Sequence, residues 1–382
     1  MRVLTTRIVI VKHIEQFEAH ISAWENLAAN AVEPNVFYES WMLLPALRAW
    51  GNAASVSCVL IFVNHAGEER LSGFFPVQYQ SYYRELPTRA LKLWRHNYCF
   101  LCTPLVRKRD AATVVSAFLD WLEKNPFNAS LMEFREILGD GEFHRLLIAE
   151  LQRRRRRVCI MSSFTRAVLL RRRDGAAYVD ESLSKKRRKE LNRLVRRLAD
   201  HGPVECVELA REEDVDAWVR RFLVLEASGW KGRSGGAMDA DGKSREFFTS
   251  VVREAFKRGR LMMLALQVGG KSVAMKCNLI APPGAFAFKI AYDEDLARYS
   301  PGFQLEIENI RRFHARTDLD WTDSCTAVED HFMMNHLWRD RRTVQTLTID
   351  TGCWAGDWVL LMLPVRQWLR RMVGVPIARR TT

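Results

Sequence analysis

A mixed α/β fold in two domains is what this amino-acid sequence predicts, and three observations carry the prediction. Apolar residues recur with a period of two in some stretches and of 3.6 in others, and the two kinds alternate along the chain. The chain has 382 residues, enough for two domains, and 48% are hydrophobic, enough for a core in each. The third observation is residues 285–325, which read as strand, loop, helix, strand. Phe286, Phe288, Ile290 and Tyr292 alternate with smaller or charged residues, and the loop Asp293–Ser300 is polar. Pro301 stands where a helix accepts proline, in its first turn, with Ser300 before it as N-cap. Phe303, Ile307 and Ile310 follow at helical spacing, and Leu319, Trp321 and Asp323 start the next strand. The expected domains are 1–175 and 176–350, followed by an amphipathic basic tail, 351–382.

The first half supplies the elements of one α/β layer. Residues 2–11 alternate as a strand, and Ile21, Trp24 and Leu27 mark a helix. Trp41–Trp50 is a second helix. Val56–Val63 and Leu71–Tyr82 form a hairpin around the turn at His65. Thr113–Lys124 is helical, with Val114, Phe118, Trp121 and Leu122 on one face. Ser130–Ile137 is a strand, Glu142–Arg155 a helix and Arg157–Ser163 a strand. Five consecutive arginines, Arg153–Arg157, read as a solvated helix end or as a binding patch.

The second half opens on a basic helix, Ser184–Ala199, where Leu191, Leu194, Val195 and Leu198 form the inner face and eight cations the outer. Its cations carry no interleaved aromatics, so solvated face and anion-binding face are equal readings. After Gly202-Pro203 come a strand, Val204–Leu209, and a helix, Asp214–Glu226. A glycine-rich loop follows, Glu226–Ala237, bearing Trp230, Lys231 and Arg233. A tryptophan in such a loop suits a substrate contact. Ser244–Arg258 is helical, Leu261–Val268 and Lys271–Ala281 form a hairpin, and Leu347–Ile349 is a last strand before the helical tail Trp358–Val373.

Net charge narrows the partners. The formal value is +13, which favours an anion: a nucleotide-bearing cosubstrate, tRNA, an acidic polymer or a membrane surface. Met1–Lys12 lacks the apolar core of a secretory leader and no run is long enough to span a bilayer, so the expected location is the cytoplasm, including peripheral attachment to a membrane. Cys99-Phe-Leu-Cys102 is the one CxxC and has no partner pair, while His331 and His336 are five apart, off the spacing of a helical metal pair. No metal is expected. No hydrolase triad, P-loop or dinucleotide fingerprint is present.

A strand feeding a loop at a helix N-terminus presents unpaired N–H groups and the positive end of the dipole, a ready anion site. Arg298 and Gly302 complete that cradle. Three motifs then bear a resemblance. Ala227-Ser-Gly-Trp-Lys-Gly-Arg-Ser-Gly, Phe288-Lys-Ile-Ala-Tyr-Asp-Glu and Ala297-Arg-Tyr-Ser-Pro-Gly resemble the bacterial CelD-like acetyltransferases, named after a cellulose-biosynthesis protein. That family is similar to the FemAB peptidyltransferases, which carry two GNAT-like domains in tandem, and the element order over residues 180–345 is similar to the GNAT acyltransferase fold.

The resemblance implies a tandem GNAT-like enzyme. It would move an acetyl or other acyl group from acyl-CoA to an amine or hydroxyl of a small molecule, sugar or biosynthetic intermediate. The FemAB side implies aminoacyl-tRNA as donor instead. A third reading is a non-catalytic module binding an anionic polymer or membrane through helix 184–199 and the tail. By resemblance, Arg298, Tyr299, Ser300, Gly302, Phe303 and Gln304 bind the cosubstrate, and Trp230, Lys231 and Arg233 the acceptor. GNAT pyrophosphate loops read Arg/Gln-x-x-Gly-x-Gly/Ala. Here the loop has one glycine, an extra residue and Pro301, which has no N–H to donate.

Four residues are candidates for the chemistry. Asp323 is a general base or a turn aspartate. Tyr292 is a general acid or a half-buried strand tyrosine. Lys289, among apolar neighbours, needs an anionic partner, and Asp293, Asp323 or substrate is expected to supply it. Asp293 binds an amine or is a solvated loop residue. On an unbroken strand Lys289 and Asp293 share a face and Tyr292 points away; a bulge near Ala291 would bring Tyr292 round.

Overall fold

The computed structural model describes residues 5–52, 54–125, 127–326 and 332–372, with the side chains of 230–231, 332–333 and 364–372 left aside. His331 lies outside the described residues, as does the end of the tail. Two compact units emerge. One comprises Met1–Thr165 and Arg342–Thr382, the other Arg166–Arg341. Division by chain order alone does not contain this return of the C-terminal segment.

The first unit starts with β1 (Thr5–Val11), α1 (Ile21–Ala29), α2 (Ser40–Trp50), β2 (Val56–His65) and β3 (Glu68–Gln80). It continues with β4 (Ala90–Leu93), β5 (Leu105–Val106), α3 (Ala111–Glu123), β6 (Leu131–Leu138), α4 (Glu142–Arg153) and β7 (Val158–Leu170), whose last five residues belong to the second unit. The second unit then holds α5 (Gly175–Ser182), α6 (Lys185–Ala199), β8 (Val204–Glu208), α7 (Val215–Ser228), α8 (Trp230–Arg233) and α9 (Gly242–Lys257). After these come β9 (Leu261–Val268), β10 (Lys271–Ala281), β11 (Gly284–Tyr292), α10 (Pro301–Ala315), β12 (Trp321–Asp323) and α11 (Phe332–Leu337). β13 (Asp340–Asp350) and α12 (Trp354–Met372) close the chain.

The two units repeat one architecture. In the first, the strand order is β1-β2-β3-β4-β6-β13, and in the second β8-β9-β10-β11-β12 with Arg166–Leu170 of β7 beyond. Each sheet is antiparallel except at one junction, β4 with β6 and β11 with β12, where the strands run parallel. A helix, α3 or α10, makes the crossover that a parallel pair requires. This is a two-domain, GNAT-like mixed α/β fold.

In the second unit the sheet buries both faces. Met262, Leu264 and Ala274 pack with Phe303, Ile310 and Phe313 of α10 and with Leu191 and Leu198 of α6. On the other face Phe222 of α7 meets Phe248 of α9 at 5.0 Å, and Phe248 stacks on Phe288 at 6.4 Å. Ser184 caps α6 through Arg187 N–H, and Leu191, Leu194 and Leu198 are buried, but Val195 is 39% exposed and lies off the packed stripe. Gly284 allows the parallel junction: a Cβ there would lie 2.2 Å from the Trp321 ring.

Some expected loops are ordered elements. α7 runs on to Ser228 and α8 lies within the glycine-rich stretch, which a short 3-10 turn, Met238–Ala240, follows. The last strand extends over eleven residues instead of Leu347–Ile349, because Val344–Asp350 pair along the whole of β6.

Candidate active site at the parallel junction of the second unit

β11 and β12 pair over three residues only: Gly284 with Trp321, Ala285 with Thr322, Phe286 with Asp323. β11 then runs on through Ala287–Tyr292 past the end of β12. A register shift against β10 inserts one extra residue, Phe288, between Ala287 and Lys289. The bulge therefore falls three residues earlier than a bulge at Ala291 would, just where β11 leaves β12. It turns Lys289 onto the face shared by Cys277, Phe286 and Asp323, while Tyr292, in register with Ala274, takes the α10 face. Lys289 and Tyr292 are thus on opposite faces of the sheet.

Lys289 has a different partner from the one expected. Its Nζ lies 3.9 Å from Oε1 of Glu226, at the end of α7, and its side chain keeps 13% of its surface exposed. Glu226 is buried, and its Oε2 accepts the Met238 N–H at 3.0 Å. Val215, Trp218, Val219, Phe222 and Glu226 lie on one helical face. A carboxylate at a core position of that period is the sequence signal for this residue. Cys277, on the same face as Lys289, is a poor nucleophile, because burial pushes its thiol up to about 12.

Asp323 is sealed. Its Oδ2 accepts from Arg166 Nη2 at 2.8 Å and its Oδ1 from Cys325 N–H at 2.8 Å, and both ion-pair members are almost fully buried. A carboxylate so held is ion-paired and out of reach of solvent. Asp293 is an N-cap: its Oδ1 accepts Asp295 N–H at the start of the 3-10 turn Glu294–Tyr299, and its Oδ2 lies 3.6 Å from Lys271. It does not partner Lys289.

The other face carries a closed counterpart. Lys276, next to Lys289's partner Cys277 on β10, makes a 2.6 Å ion pair with Glu306 of α10, both inaccessible to solvent. Glu306 also accepts from Asn309 Nδ2 at 2.9 Å and Trp338 Nε1 at 3.0 Å, and Asn309 accepts from Asn278 at 2.9 Å. Full satisfaction of the carboxylate makes this network an anchor for α10 on the sheet. Lys276 stands in an apolar strand and Glu306 on the inner face with Phe303 and Ile310, so sequence shows two misplaced charges but not that they meet.

The loop ahead of α10 departs from its expected form. Ser300 adopts a left-handed conformation, φ 54°, and its side chain makes no capping bond. The N–H groups of Phe303 and Gln304 both donate to the Ser300 carbonyl at 3.1 Å. Pro301 has none, so Gly302 supplies the first-turn N–H for an anion. A Cβ on Gly302 would touch the Tyr292 ring at 3.4 Å. Gln304 Nε2 donates to the Tyr299 carbonyl, and the Tyr299 hydroxyl hydrogen-bonds His201 at 3.0 Å. Cations gather here: Arg298 lies over the Tyr299 ring at 4.8 Å and Arg187, in the first turn of α6, over Phe303 at 5.0 Å. The basic helix thus flanks the N-terminus of α10, a neighbourhood that periodicity could not show.

Arg233 binds Glu294, and a Cβ on Gly229 would lie 2.9 Å from the Glu294 carboxylate, so the glycine-rich stretch is tethered to the turn before α10. The side chains of Trp230 and Lys231 lie outside the described residues. Among the described residues, no group of three or more His, Cys, Asp or Glu side chains is placed to hold a metal ion.

Residues 185–333 match the family model described as an acetyltransferase (GNAT) domain. A comparison with curated protein sequences gives no match. Among solved structures, a conserved protein of unknown function from Bacteroides thetaiotaomicron is similar at 11% identity and a TM-score of 0.55, over 86% of this chain and 97% of that one. FemX is similar at 7% identity and a TM-score of 0.55, over 90% and 98%. The C-terminal domain of a proposed lysylphosphatidylglycerol synthetase from Agrobacterium fabrum is similar at 12% identity and a TM-score of 0.50, over 91% and 96%. Identities this low speak to the fold alone.

Proposed function

We propose that the second unit transfers an acyl group from acyl-coenzyme A, acetyl-CoA being the simplest donor, to an amine or hydroxyl of a small molecule, sugar or biosynthetic intermediate. The observation that carries this reading is the parallel pair β11–β12, which stops after three residues directly ahead of the N-terminus of α10. A strand edge beyond such a junction suits an acyl chain, and the helix N-terminus suits phosphate. Gly302 N–H, Arg298 and Arg187 are the groups assigned to the phosphates. Lys289, 3.9 Å from the Glu226 carboxylate, is assigned to the carbonyl oxygen that gains charge as the nucleophile attacks. Tyr292, on the other face beside Gly302, is assigned to binding the cosubstrate. The Gly229–Arg233 stretch is assigned to the acceptor.

The second reading, aminoacyl-tRNA as donor, draws on the thin phosphate cradle: Pro301 has no N–H and those of Phe303 and Gln304 bond Ser300, which leaves the cradle to Gly302. The basic face of α6 beside it suits a polyanion. Thermal-shift measurements with acetyl-CoA, longer acyl-CoAs, free coenzyme A and tRNA separate the two, since a ligand of the native state raises the midpoint. The expected result is a rise with acyl-CoA that Gly302→Val abolishes while the unliganded midpoint holds. A rise with tRNA alone supports the second reading, and normal acyl-CoA binding by Gly302→Val removes the phosphates from α10.

A further inference from the structure

We propose that α12 docks the protein on the surface of an anionic phospholipid bilayer. Among the described residues, nine large apolar side chains are exposed, and four of them stand on this one helix: Trp354 at 79%, Trp358 at 61%, Leu361 at 45% and Met362 at 55%. Their spacing of four, three and one places them on one stripe. Leu360 and Leu363, on the opposite side, are buried against Tyr83, Ala90 and Leu131. The stripe is therefore turned outward by packing and is not a frayed core face. The start of the helix is fixed. Thr351 N–H donates to the Ser130 carbonyl at 3.1 Å, and Gly356 comes so close that a Cβ would lie 2.2 Å from the same oxygen.

Charge says what covers the stripe. Arg157 lies 3.4 Å from Asp357, at the edge of the stripe, with 54% of its side chain exposed, and Arg156 holds Asp350 at 2.8 Å just ahead of the helix. After Asp357 the sequence contains Arg366, Arg370, Arg371, Arg379 and Arg380 and not a single carboxylate. Tryptophans beside arginines are the composition of a helix lying in a bilayer interface, with the indoles at headgroup depth and the cations on lipid phosphate. No helix of the described residues is long and apolar enough to cross a membrane, so the contact is in the plane of the surface. A second copy of the chain is a poorer occupant. The four side chains offer on the order of 500 Å², below the roughly 800 Å² each partner gives to a standard stable interface, and the like charges would face each other.

The test is flotation of the full chain with vesicles of phosphatidylcholine alone and of phosphatidylcholine mixed with phosphatidylglycerol. Binding is expected only with the anionic vesicles. Trp354→Ser with Trp358→Ser, both at exposed positions, should weaken it by roughly tenfold or more with the thermal midpoint unchanged. Arg370→Gln should weaken it about fivefold, and less at high salt. Equal binding to uncharged vesicles, or full binding by the double tryptophan variant, overturns the proposal. So does a wild-type dimer that the double variant converts to monomer without any vesicle binding.

Discussion

The two parallel junctions are built alike and finished differently. In the first unit Ala90, Leu91 and Lys92 pair with Leu131, Met132 and Glu133, three residues as in the second. There the chain plugs its own junction. Cys102 N–H donates to the Glu136 carbonyl at 3.0 Å, Thr103 Oγ1 accepts Leu138 N–H at 3.2 Å, and Asn35 holds the Leu101 and Thr103 carbonyls. A carboxylate, Asp110, stands at the N-cap of α3, bound to His65 and Ser72 at 2.7 and 2.6 Å. In the second unit β11 continues past β12, the described residues supply no counterpart of that plug, and the helix opens on Ser-Pro-Gly. The same topology serves as a core in one place and as a candidate ligand site in the other. What differs is whether the chain itself fills the junction.

Glu133 and Asp323 occupy the same place in the two junctions, and each is a buried, ion-paired carboxylate. Glu133 is buried with Tyr83 Oη at 2.9 Å and Arg84, Lys92 and Arg135 within 4.0 Å. Asp323→Ala should cost about 3–5 kcal/mol, since it leaves the buried Arg166 uncompensated, and Glu133→Ala less, since its cations are part-exposed. Urea unfolding measures this. If Asp323→Ala proves stable yet inactive, Asp323 is the base after all and the comparison breaks.

Next in size is Lys289→Met. Acyl transfer should fall by about 10²–10³, and urea unfolding measures separately the cost of leaving the buried Glu226 carboxylate without this cation. Steady-state kinetics with the acceptor found by screening decides it. An active Lys289→Met would reduce the open junction to a vestige of the closed one.

The smallest effect belongs to the first unit alone. Glu33 accepts the Phe143 N–H at 2.7 Å, at the start of α4, and burial raises its carboxyl to about 7 from 4.5. The folded form therefore holds a proton that the unfolded form has released. Stability from this group is complete below about pH 4.5 and is lost as pH rises through about 7, by on the order of 3 kcal/mol at most. Glu33→Gln should flatten that decline in midpoint-versus-pH curves, and an unflattened curve assigns it elsewhere.

Periodicity in the sequence determined most of the fold. The hairpin β9–β10 has the bounds that its two apolar runs and Gly269-Gly270 predict, and α6 starts at the Ser184 cap. Such features are local: a turn, a cap or a stripe is decided by residues within one or two turns of chain. The resemblance of three short motifs pointed to the junction. Glu294 and Arg233, from two of them, do meet.

Tertiary structure alone decided which charges are paired and which face each side chain takes. Phe288 bulges out and moves Lys289 onto the face of Phe286 and Asp323, and Tyr292 onto the other, a change of parity set by pairing with β10 and not by β11's own residues. Arg166 and Asp323 are 157 residues apart in sequence and form one buried pair, and Lys289 meets Glu226 from another helix. Ser300 reads as a cap but is drawn into a left-handed turn. Period and propensity describe a residue's neighbours along the chain. The energy of a buried charge depends on its neighbours in space, and those exist only once the strands have chosen their register.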